Sequence, residues 1–235
     1  FGAQSFFEDK LKFLGRIHGK EQIFKAVENA HAAGFKNINL DLIYDTKFDT
    51  KKRLLAEVES LKNLAITHLS AYSLTLEENT PFAGKKSYKK DSESLAKFMI
   101  EQTQRAGFKQ YEISNFGQIC KHNLGYWQGK NYLGVGAFSV GFVDDTRYYA
   151  KSSIDAYITQ PTHREREILS PSELAREHIF LGLRSIIGVE AGRLNEDQKK
   201  RANLLVENEK LLFKEGKFYN PNFLLSDEIA LFIEG

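Results

Sequence analysis

Helical and strand-like segments alternate through the first half of the chain, and this alternation constrains the fold more than any other feature. The segment "KEQIFKAVENAHAAGF" has apolar residues at a helical period and stops near Gly34, and "KNINLDLIY" follows as a short apolar run typical of a buried strand. The pattern returns twice, ending in "ITHLSAYSLTL" and "KQYEISNF". Strands separated by helices at intervals of about 30 residues predict a parallel α/β sheet, either a closed or half-closed barrel or a doubly wound sheet.

The character of the chain changes near residue 170. "SPSELAREHIFLGLRSIIGV" predicts a capped amphipathic helix, and the remainder predicts a helix, a hairpin and a final helix. We place the turn of this two-stranded wing at Pro221 and Asn222. The chain is therefore predicted to contain two domains, residues 1–165 and a small winged-helix-like domain over residues 166–235. Because no basic cluster marks a recognition helix, a docking or lid role is favoured over DNA binding.

Charge and composition limit the classes of function. The 235 residues are 42% hydrophobic, enough for a core, and 33 basic residues against 31 acidic ones leave a formal charge of +2. So small an excess argues against a nucleic-acid partner. No apolar run approaches the roughly 18 residues that span a bilayer, and no signal peptide is recognisable. A single cysteine, Cys120, fits a reducing compartment, so we expect a cytoplasmic protein.

Polar residues lie where parallel α/β folds collect their binding residues, at the C-terminal ends of the predicted strands. Because the surrounding residues are apolar, these side chains are candidates for a site. An equally good interpretation is that they cap helices and fasten turns. They are Gln4, Ser5, Asp41, Tyr44, Ser73, Thr75, Glu112 and Asn115.

Six stretches occur together in an order that resembles one known family. They are "FGAQSF", "LGRIH", "NINLDLIY", "THLSAYSLTLEENTPF", "FKQYEISNF" and "HNLGYW". The chain resembles the oxygen-independent coproporphyrinogen III oxidase-like family of radical SAM proteins, and "HNLGYW" fits the H-N-x-x-Y-W motif of its heme chaperones (HemW-type). The resemblance covers nearly the whole chain. It implies the second half of a radical SAM partial (β/α) barrel followed by a small winged-helix-like C-terminal domain.

The resemblance also implies cofactors that a longer protein would hold. The family's barrel begins with a Cys-x-x-x-Cys-x-x-Cys loop that binds a [4Fe-4S] cluster and leaves one iron for S-adenosylmethionine. This chain has only Cys120, and its first residues resemble the end of the family's fourth strand. We therefore expect an N-terminally truncated chain, with cluster and S-adenosylmethionine only in a full-length form and no radical catalysis by this chain alone.

Three residues match family positions near S-adenosylmethionine. Gln4 in "AQSF" matches a glutamine beside the ligand, and Arg16 in "LGRIH" matches an arginine that pairs with its carboxylate. Asp41 in "NLDLIY" matches an acid that holds the ribose or a polar neighbour. For Arg16 the alternative is a surface salt bridge of little energetic value.

Two stretches depart from the family pattern. The chain continues "DLIYDTKFDT" where the family usually has "DLIYGLPGQT", so the loop that follows Asp41 lacks its usual Gly and Pro. How the chain presents Asp41 is therefore open. Later, "GVGAFS" stands where the family tends to have "GAGAHS", and Phe138 replaces a histidine.

The "HNLGYW" segment is the candidate heme site. His122 offers an imidazole for the heme iron, and Tyr126 and Trp127 offer flat faces for stacking against a porphyrin. Asn123 could orient either the imidazole or the following turn by a local hydrogen bond. On chemistry alone a locked turn with Trp127 in the core is favoured, and the family motif reverses that preference. Cys120 as a second iron ligand or attachment point has little support, because C-x-H is not the C-x-x-C-H motif.

The first functional hypothesis is a chaperone that binds heme and carries it to an acceptor protein. The sequence does not identify this acceptor. The chain itself has no membrane segment, but the acceptor protein could be associated with a membrane. The alternative is an oxygen-independent coproporphyrinogen III oxidase-type enzyme of porphyrin biosynthesis, or an inactive fragment of either protein.

Overall fold

The computed structural model describes residues 1–78 and 80–235, so residue 79 of the "THLSAYSLTLEENTPF" motif lies outside the described residues. The chain forms two compact units, Phe1–Cys120 and Lys121–Gly235. The boundary between these units differs from the predicted division at residues 165 and 166. The strands of residues 140–168 form a sheet of their own, which also bridges to Tyr132 and belongs to the second unit. The two domains predicted from the sequence, residues 1–165 and residues 166–235, stay a prediction.

The first unit alternates helices and strands as the sequence predicts. Its elements are α1 (Glu8–Phe13), α2 (Lys20–Ala32), β1 (Asn39–Tyr44), α3 (Lys51–Leu61), β2 (His68–Ser73), α4 (Glu93–Arg105) and β3 (Asn115–Gly117). The starts of α3 and α4 are set by side-chain caps, because Thr50 and Ser92 accept the backbone N–H groups of Arg53 and Leu95. The predicted helices are therefore confirmed.

The sheet of the first unit is only partly parallel. Strand β1 pairs with β2 in parallel register, Asn39 opposite His68, and residue Gln4 adds a parallel bridge to Leu42. Strand β3 runs antiparallel to β2, so the prediction of a wholly parallel sheet is wrong at this strand. The chain reverses just before β3, where the Tyr111 N–H donates to the Asn115 carbonyl at 3.2 Å. This reversal after α4 explains why β3 runs antiparallel to β2 although a helix connects the two strands.

The two faces of this sheet differ in chemistry. Side chains alternate between faces along a strand. One face carries Leu40 and Leu42 of β1 and Leu69 of β2, and these pack with the apolar sides of α2, α3 and α4 in one core. The alternate residues, Asn39 and Asp41 of β1 with their neighbours on β2, therefore form a polar opposite face.

The second unit contains the remaining elements. They are α5 (Lys121–Trp127), β4 (Val140–Val143), β5 (Thr146–Tyr149), α6 (Ile154–Thr159), β6 (Glu165–Ile168), α7 (Pro171–Leu183), β7 (Val189–Glu190), α8 (Glu196–Glu207), β8 (Leu212–Lys214), β9 (Lys217–Tyr219) and α9 (Ser226–Glu234). Strands β4, β5 and β6 form one antiparallel sheet, and β7, β9 and β8 form another in that order. A core of Ile179, Leu183, Ala202, Phe218 and Ile233 lies among α7, α8, α9 and β9.

The wing of the second unit turns earlier than predicted. Strands β8 and β9 are joined by Glu215 and Gly216, both with positive φ, of 52° and 77°. Two consecutive left-handed residues match the twist of a tight hairpin, and this pair therefore forms the turn. Placing the turn at Pro221 and Asn222 is wrong, since both residues follow β9. There Asn222 accepts the Leu224 N–H at 3.2 Å.

The start of α7 is confirmed. Ser170 and Glu173 form a reciprocal capping box, and Pro171 occupies the first turn. Within residues 1–78 and 80–235, no helix is long and apolar enough to cross a membrane.

Candidate functional site

The "HNLGYW" segment folds as the two-turn helix α5, which ends in a glycine motif. Gly129 has a φ of 64°, its N–H donates to the Tyr126 carbonyl at 2.9 Å, and the Lys130 N–H donates to the Gly125 carbonyl at 3.0 Å. These two bonds are those of a Schellman motif, which requires a left-handed residue after the helix. Because a helix turns every 3.6 residues, His122 and Tyr126 lie on one face.

His122 and Tyr126 form an exposed pair. Their rings meet edge to face with centroids 5.0 Å apart, and the Tyr126 hydroxyl lies 3.1 Å from His122 Nε2. Tyr126 also meets Tyr132 edge to face at 4.7 Å. The His122 imidazole is exposed to solvent, so the metal at the centre of a flat macrocycle could reach it. Its aromatic neighbour Tyr126 holds the ring in place.

Asn123 and Trp127 are the other two motif residues of the candidate heme site. Both side chains are partly buried. Trp127 lines a cavity of about 180 Å³ together with Leu174 and His178. Among the described residues Asn123 has no side-chain hydrogen-bond partner, so the residue that contacts the imidazole is Tyr126. The sequence offered Asn123 as one candidate for that contact, although the i to i+4 spacing of His122 and Tyr126 was the available signal.

A groove lies beside the His122–Tyr126 pair within the second unit. It has a volume of about 300 Å³. Tyr126, Tyr132, Phe142 and Phe180 supply its apolar lining. The charged side chains that line it are Lys130, Arg147, Arg184 and Glu177. Its mixture of aromatic faces and convergent charges is typical of a ligand site.

In the first unit, Gln4 and Asp41 are brought together by the backbone. The Gln4 N–H donates to the Asp41 carbonyl at 2.7 Å, and Gln4 is buried with a positive φ of 65°. Left-handed backbone is uncommon for glutamine and is found where surrounding structure enforces it. Arg16 lies in the exposed stretch after α1, and within the described part of the chain its guanidinium has no acidic partner. Among the residues that the structure describes, the surface salt bridge considered for Arg16 is not formed.

Asp41 is the end point of a chain of hydrogen bonds on the polar face of the sheet. Asn39 Nδ2 donates to Asp41 Oδ1 at 2.7 Å, and His68 Nδ1 lies 2.6 Å from Asn39 Oδ1. His68 Nε2 lies 2.7 Å from the Tyr111 hydroxyl, which accepts the Cys120 N–H at 3.3 Å. Because Asn39 Oδ1 can only accept, His68 carries its proton on Nδ1 and accepts from Tyr111.

The environment supports this tautomer of His68. Burial lowers the pKa of His68, which favours the neutral imidazole, while the nearby Asp41 carboxylate opposes that shift. Burial also raises the pKa of Tyr111 to about 12, so that hydroxyl keeps the proton it donates. Sequence reasoning missed Asn39, His68 and Tyr111, although the alternation of polar residues along β1 and β2 was a signal.

The neutral state of His68 predicts a dependence of stability on pH. A histidine whose folded pKa lies below its unfolded value binds its proton more readily when unfolded, so the stability it contributes is lost as pH falls below about 6.5. Urea unfolding followed by circular dichroism at pH 7.5 and 5.5 should show a smaller acid-induced loss for His68→Gln than for the unaltered chain. The exposed His163→Gln variant serves as control and should behave like the unaltered chain. Equal losses in all three proteins would contradict the assignment.

The loop after β1 keeps a conformation that suits glycine. Asp45, at the position of the family's Gly, has a φ of 67°. Aspartate is among the residues that tolerate left-handed backbone. Its buried carboxylate also accepts the Ser92 N–H at 3.0 Å and the Ser73 hydroxyl at 3.1 Å. The departure from the family pattern is thus compensated locally by these hydrogen bonds.

A buried ion cluster lies next to this loop and was missed from sequence. Lys10 Nζ lies 2.7 Å from Asp49 Oδ1 and 3.4 Å from Glu57 Oε1, and all three side chains are at most 2% exposed. Glu57 also accepts from Ser5 Oγ and from the Phe6 N–H. Burial raises the pKa of Glu57, while Lys10 and the hydrogen bonds oppose that shift. The cluster fastens α1 to α3 and to the loop that follows β1.

The described residues contain no group of three or more His, Cys, Asp or Glu side chains that could hold a metal ion. The chain's single cysteine cannot supply the three thiolates of a [4Fe-4S] cluster. The residues present do not fit that group. A heme iron needs only one axial nitrogen, and the exposed imidazole of His122 fits that need.

Comparison with known proteins shows which proteins this chain is similar to. No family model matches it. The heme chaperone HemW of Lactococcus lactis is 33% identical over 202 residues, covering 80% of this chain and 53% of that protein. HemW of Bacillus subtilis is 32% identical over 211 residues, covering 83% and 56%. The chain spans about half the length of these curated relatives.

A solved structure supports the fold. Coproporphyrinogen III oxidase (HemN) from Escherichia coli, described as a radical SAM enzyme, superposes with a TM-score of 0.77 over 99% of this chain and 62% of that one. At 16% sequence identity this likeness shows the fold alone. It confirms an α/β chain with the second part of a radical SAM partial barrel and a small winged-helix-like C-terminal region.

The chain therefore has the fold of this coproporphyrinogen III oxidase. Its sequence relatives are more specific than the fold, because by sequence the chain is a homologue of the HemW-type heme chaperones. The recognition from the ordered motifs is confirmed. The roles of individual site residues stay predictions.

Proposed function

We propose that this chain is the heme-binding part of a HemW-type chaperone and that it binds heme iron through His122. The observation that carries the proposal is the exposed His122 imidazole, held edge to face by Tyr126 on a helix with the H-N-x-x-Y-W pattern. Heme bound there would be open to transfer, because the ligand lies on the surface and not in a closed cavity. An acceptor protein is the partner that such a carrier requires.

The geometry bears on which imidazole nitrogen binds iron. His122 Nε2 lies within hydrogen-bond distance of the Tyr126 hydroxyl. Iron coordination at Nε2 requires Tyr126 to move, whereas coordination at Nδ1 leaves the pair intact. Either nitrogen of a neutral imidazole can serve as a metal ligand.

Gln4, Arg16 and Asp41 are the residues that would hold S-adenosylmethionine, which would supply the radical chemistry of the family. Arg16 suits a carboxylate because its guanidinium is exposed and lacks an acidic partner among the described residues. Asn39 orients Asp41 by donating to one of its oxygens at 2.7 Å, which leaves the other oxygen for hydroxyl donors.

The second candidate function is that of an oxygen-independent coproporphyrinogen III oxidase. No step of that reaction can be assigned to the residues of this chain, because one cysteine does not build the cluster. The H-N-x-x-Y-W pattern favours the carrier.

A heme titration followed by visible absorbance tests the proposal. We expect saturable binding, and His122→Ala should weaken it at least about ten-fold, which corresponds to about 1.4 kcal/mol. His163→Ala removes an exposed imidazole in the same unit and serves as the matched control. Equal affinity of His122→Ala and His163→Ala would place the iron ligand elsewhere, and absence of saturable binding would reject the carrier function for this chain.

A further inference from the structure

The groove beside Tyr126 is lined by charged side chains as well as by aromatic ones. Three cations, Lys130, Arg147 and Arg184, line it together with one carboxylate, Glu177. Arg147 forms an ion pair with Glu177, so these two charges cancel. The groove lining therefore has two further cations, Lys130 and Arg184, without a carboxylate of the groove itself to neutralise them.

The two remaining cations are available to a ligand. Lys130 is exposed just after the glycine that ends α5, and it has no acidic partner among residues 1–78 and 80–235. Arg184 pairs with Asp227 at 2.6 Å, and the Asp227 side chain is 62% exposed. Such an exposed ion pair contributes little and can be exchanged for another carboxylate. The Arg184 guanidinium also lies over the Phe180 ring, 5.4 Å from its centroid, which fixes its position at the groove wall.

The lining of the groove suits one edge of a flat molecule. Tyr126 belongs both to the groove and to the pair with His122. Phe142 continues the aromatic surface from Tyr132, with ring centroids 6.2 Å apart. A volume of about 300 Å³ is at the lower limit for sites that take whole drug-sized ligands. It is suited to the edge of a large ring while the remainder stays outside.

We propose that this groove binds the carboxylate-bearing edge of a porphyrin, with Lys130 and Arg184 each receiving one carboxylate. The inference rests on the proposed heme function and adds to it a requirement that the porphyrin carry free carboxylates. Lys130, which has no acidic partner among the described residues, and Arg184, whose partner Asp227 is exposed and exchangeable, match the two negative charges of a dicarboxylate. The aromatic residues that line the groove with them match the apolar ring edge.

The test compares hemin with its dimethyl ester, which has the same iron and ring but no carboxylate charge. Both are titrated by visible absorbance in one detergent-containing buffer at low ionic strength. Each lost contact with an exposed charge should weaken binding by roughly two- to five-fold, so the ester should bind about ten-fold more weakly than hemin. Salt at about 1 M should reduce that difference, because it shortens the screening length to about 3 Å.

Charge variants identify the cations. Lys130→Gln and Arg184→Gln should each weaken hemin binding about three-fold and leave binding of the ester unchanged. Lys210→Gln removes an exposed lysine outside the groove and should match the unaltered chain. Asp227→Asn releases Arg184 from its partner and should retain or raise hemin affinity. A loss in Asp227→Asn as large as that in Arg184→Gln would overturn the assignment of Arg184.

The outcomes separate this inference from the function on which it rests. If hemin binds through His122 but hemin and ester bind equally well, the carboxylate site is rejected and the heme function stands. If Lys130→Gln behaves as Lys210→Gln does, Lys130 is not a carboxylate ligand. Absence of binding of either porphyrin would reject both proposals.

Discussion

We expect replacement of Lys10 by methionine to lower the free energy of unfolding by about 3–5 kcal/mol, the range found when one partner of a buried ion pair is removed. The Lys10 side chain is 1% exposed and lies 2.7 Å from Asp49 and 3.4 Å from Glu57. Methionine fills a similar volume but leaves two carboxylates buried without a cation. Urea unfolding followed by circular dichroism measures the loss, and hydrogen exchange should place it in α1 and α3.

The same variant changes how stability depends on pH. Burial already raises the pKa of Glu57, and the ammonium of Lys10 opposes that shift, so removing Lys10 raises the pKa further. A carboxyl group whose folded pKa is raised gains stability when protonated. The deficit of Lys10→Met should therefore be largest near neutral pH and become smaller as pH falls toward the unfolded value of about 4.5.

The control for Lys10→Met is Lys12→Met on the same helix. Lys12 is exposed, and its replacement should change stability by no more than about 0.5 kcal/mol. A loss below about 1 kcal/mol in Lys10→Met would mean that the carboxylates are neutral or solvated without it.

We expect replacement of Gly182 by alanine to destabilise the second unit by about 2 kcal/mol. A Cβ at Gly182 would meet the carbonyl of Gly188 and, at 2.9 Å, the Val189 side chain. The carbonyl cannot yield without moving β7, which is hydrogen-bonded to β9. Overpacking of this kind typically costs about 1–3 kcal/mol, which exceeds the roughly 1 kcal/mol that alanine gains over glycine in a helix.

Gly192→Ala is the matched control for Gly182→Ala. A Cβ at Gly192 meets no atom within 4 Å, so the change should be within about 0.5 kcal/mol. The chain's single tryptophan, Trp127, lies in the same unit and reports its unfolding by fluorescence. Equal midpoints for Gly182→Ala and Gly192→Ala would show that β7 can shift at little cost.

Helices were predicted well because their signals are local. Thr50, Ser92 and Ser170 cap helices that begin immediately after them. A cap and its helix lie within a few residues of each other, so the pattern is visible in the sequence.

Turns and short strands were predicted less well. The direction of β3 depends on a turn at Tyr111–Asn115 that no Gly or Pro marks, and β3 is only three residues long. The wing turn uses Glu215, a residue that rarely adopts positive φ, while the more conspicuous Pro221 lies outside the hairpin. Turn propensity is a weak signal when the flanking strands decide which residues must be left-handed.

The candidate site was predicted in part. The motif led to His122 and Tyr126, and the structure adds that they contact each other. The groove with Lys130 and Arg184 could not be found from sequence, because α5 and α7 are far apart in the chain and meet only in the folded unit.

The sequence by itself determined the alternation of helices and strands, the caps and the kinship with HemW-type proteins, since these depend on periodicity and on ordered motifs. Only the tertiary structure decided that Lys10 joins Asp49 and Glu57, 39 and 47 residues away, and that His68 joins Asn39 and Tyr111, 29 and 43 residues away. The physical reason is that a buried polar group must find a partner wherever the chain brings one. Such partners are set by strand register and helix packing, and the sequence alone does not show which residues these bring together.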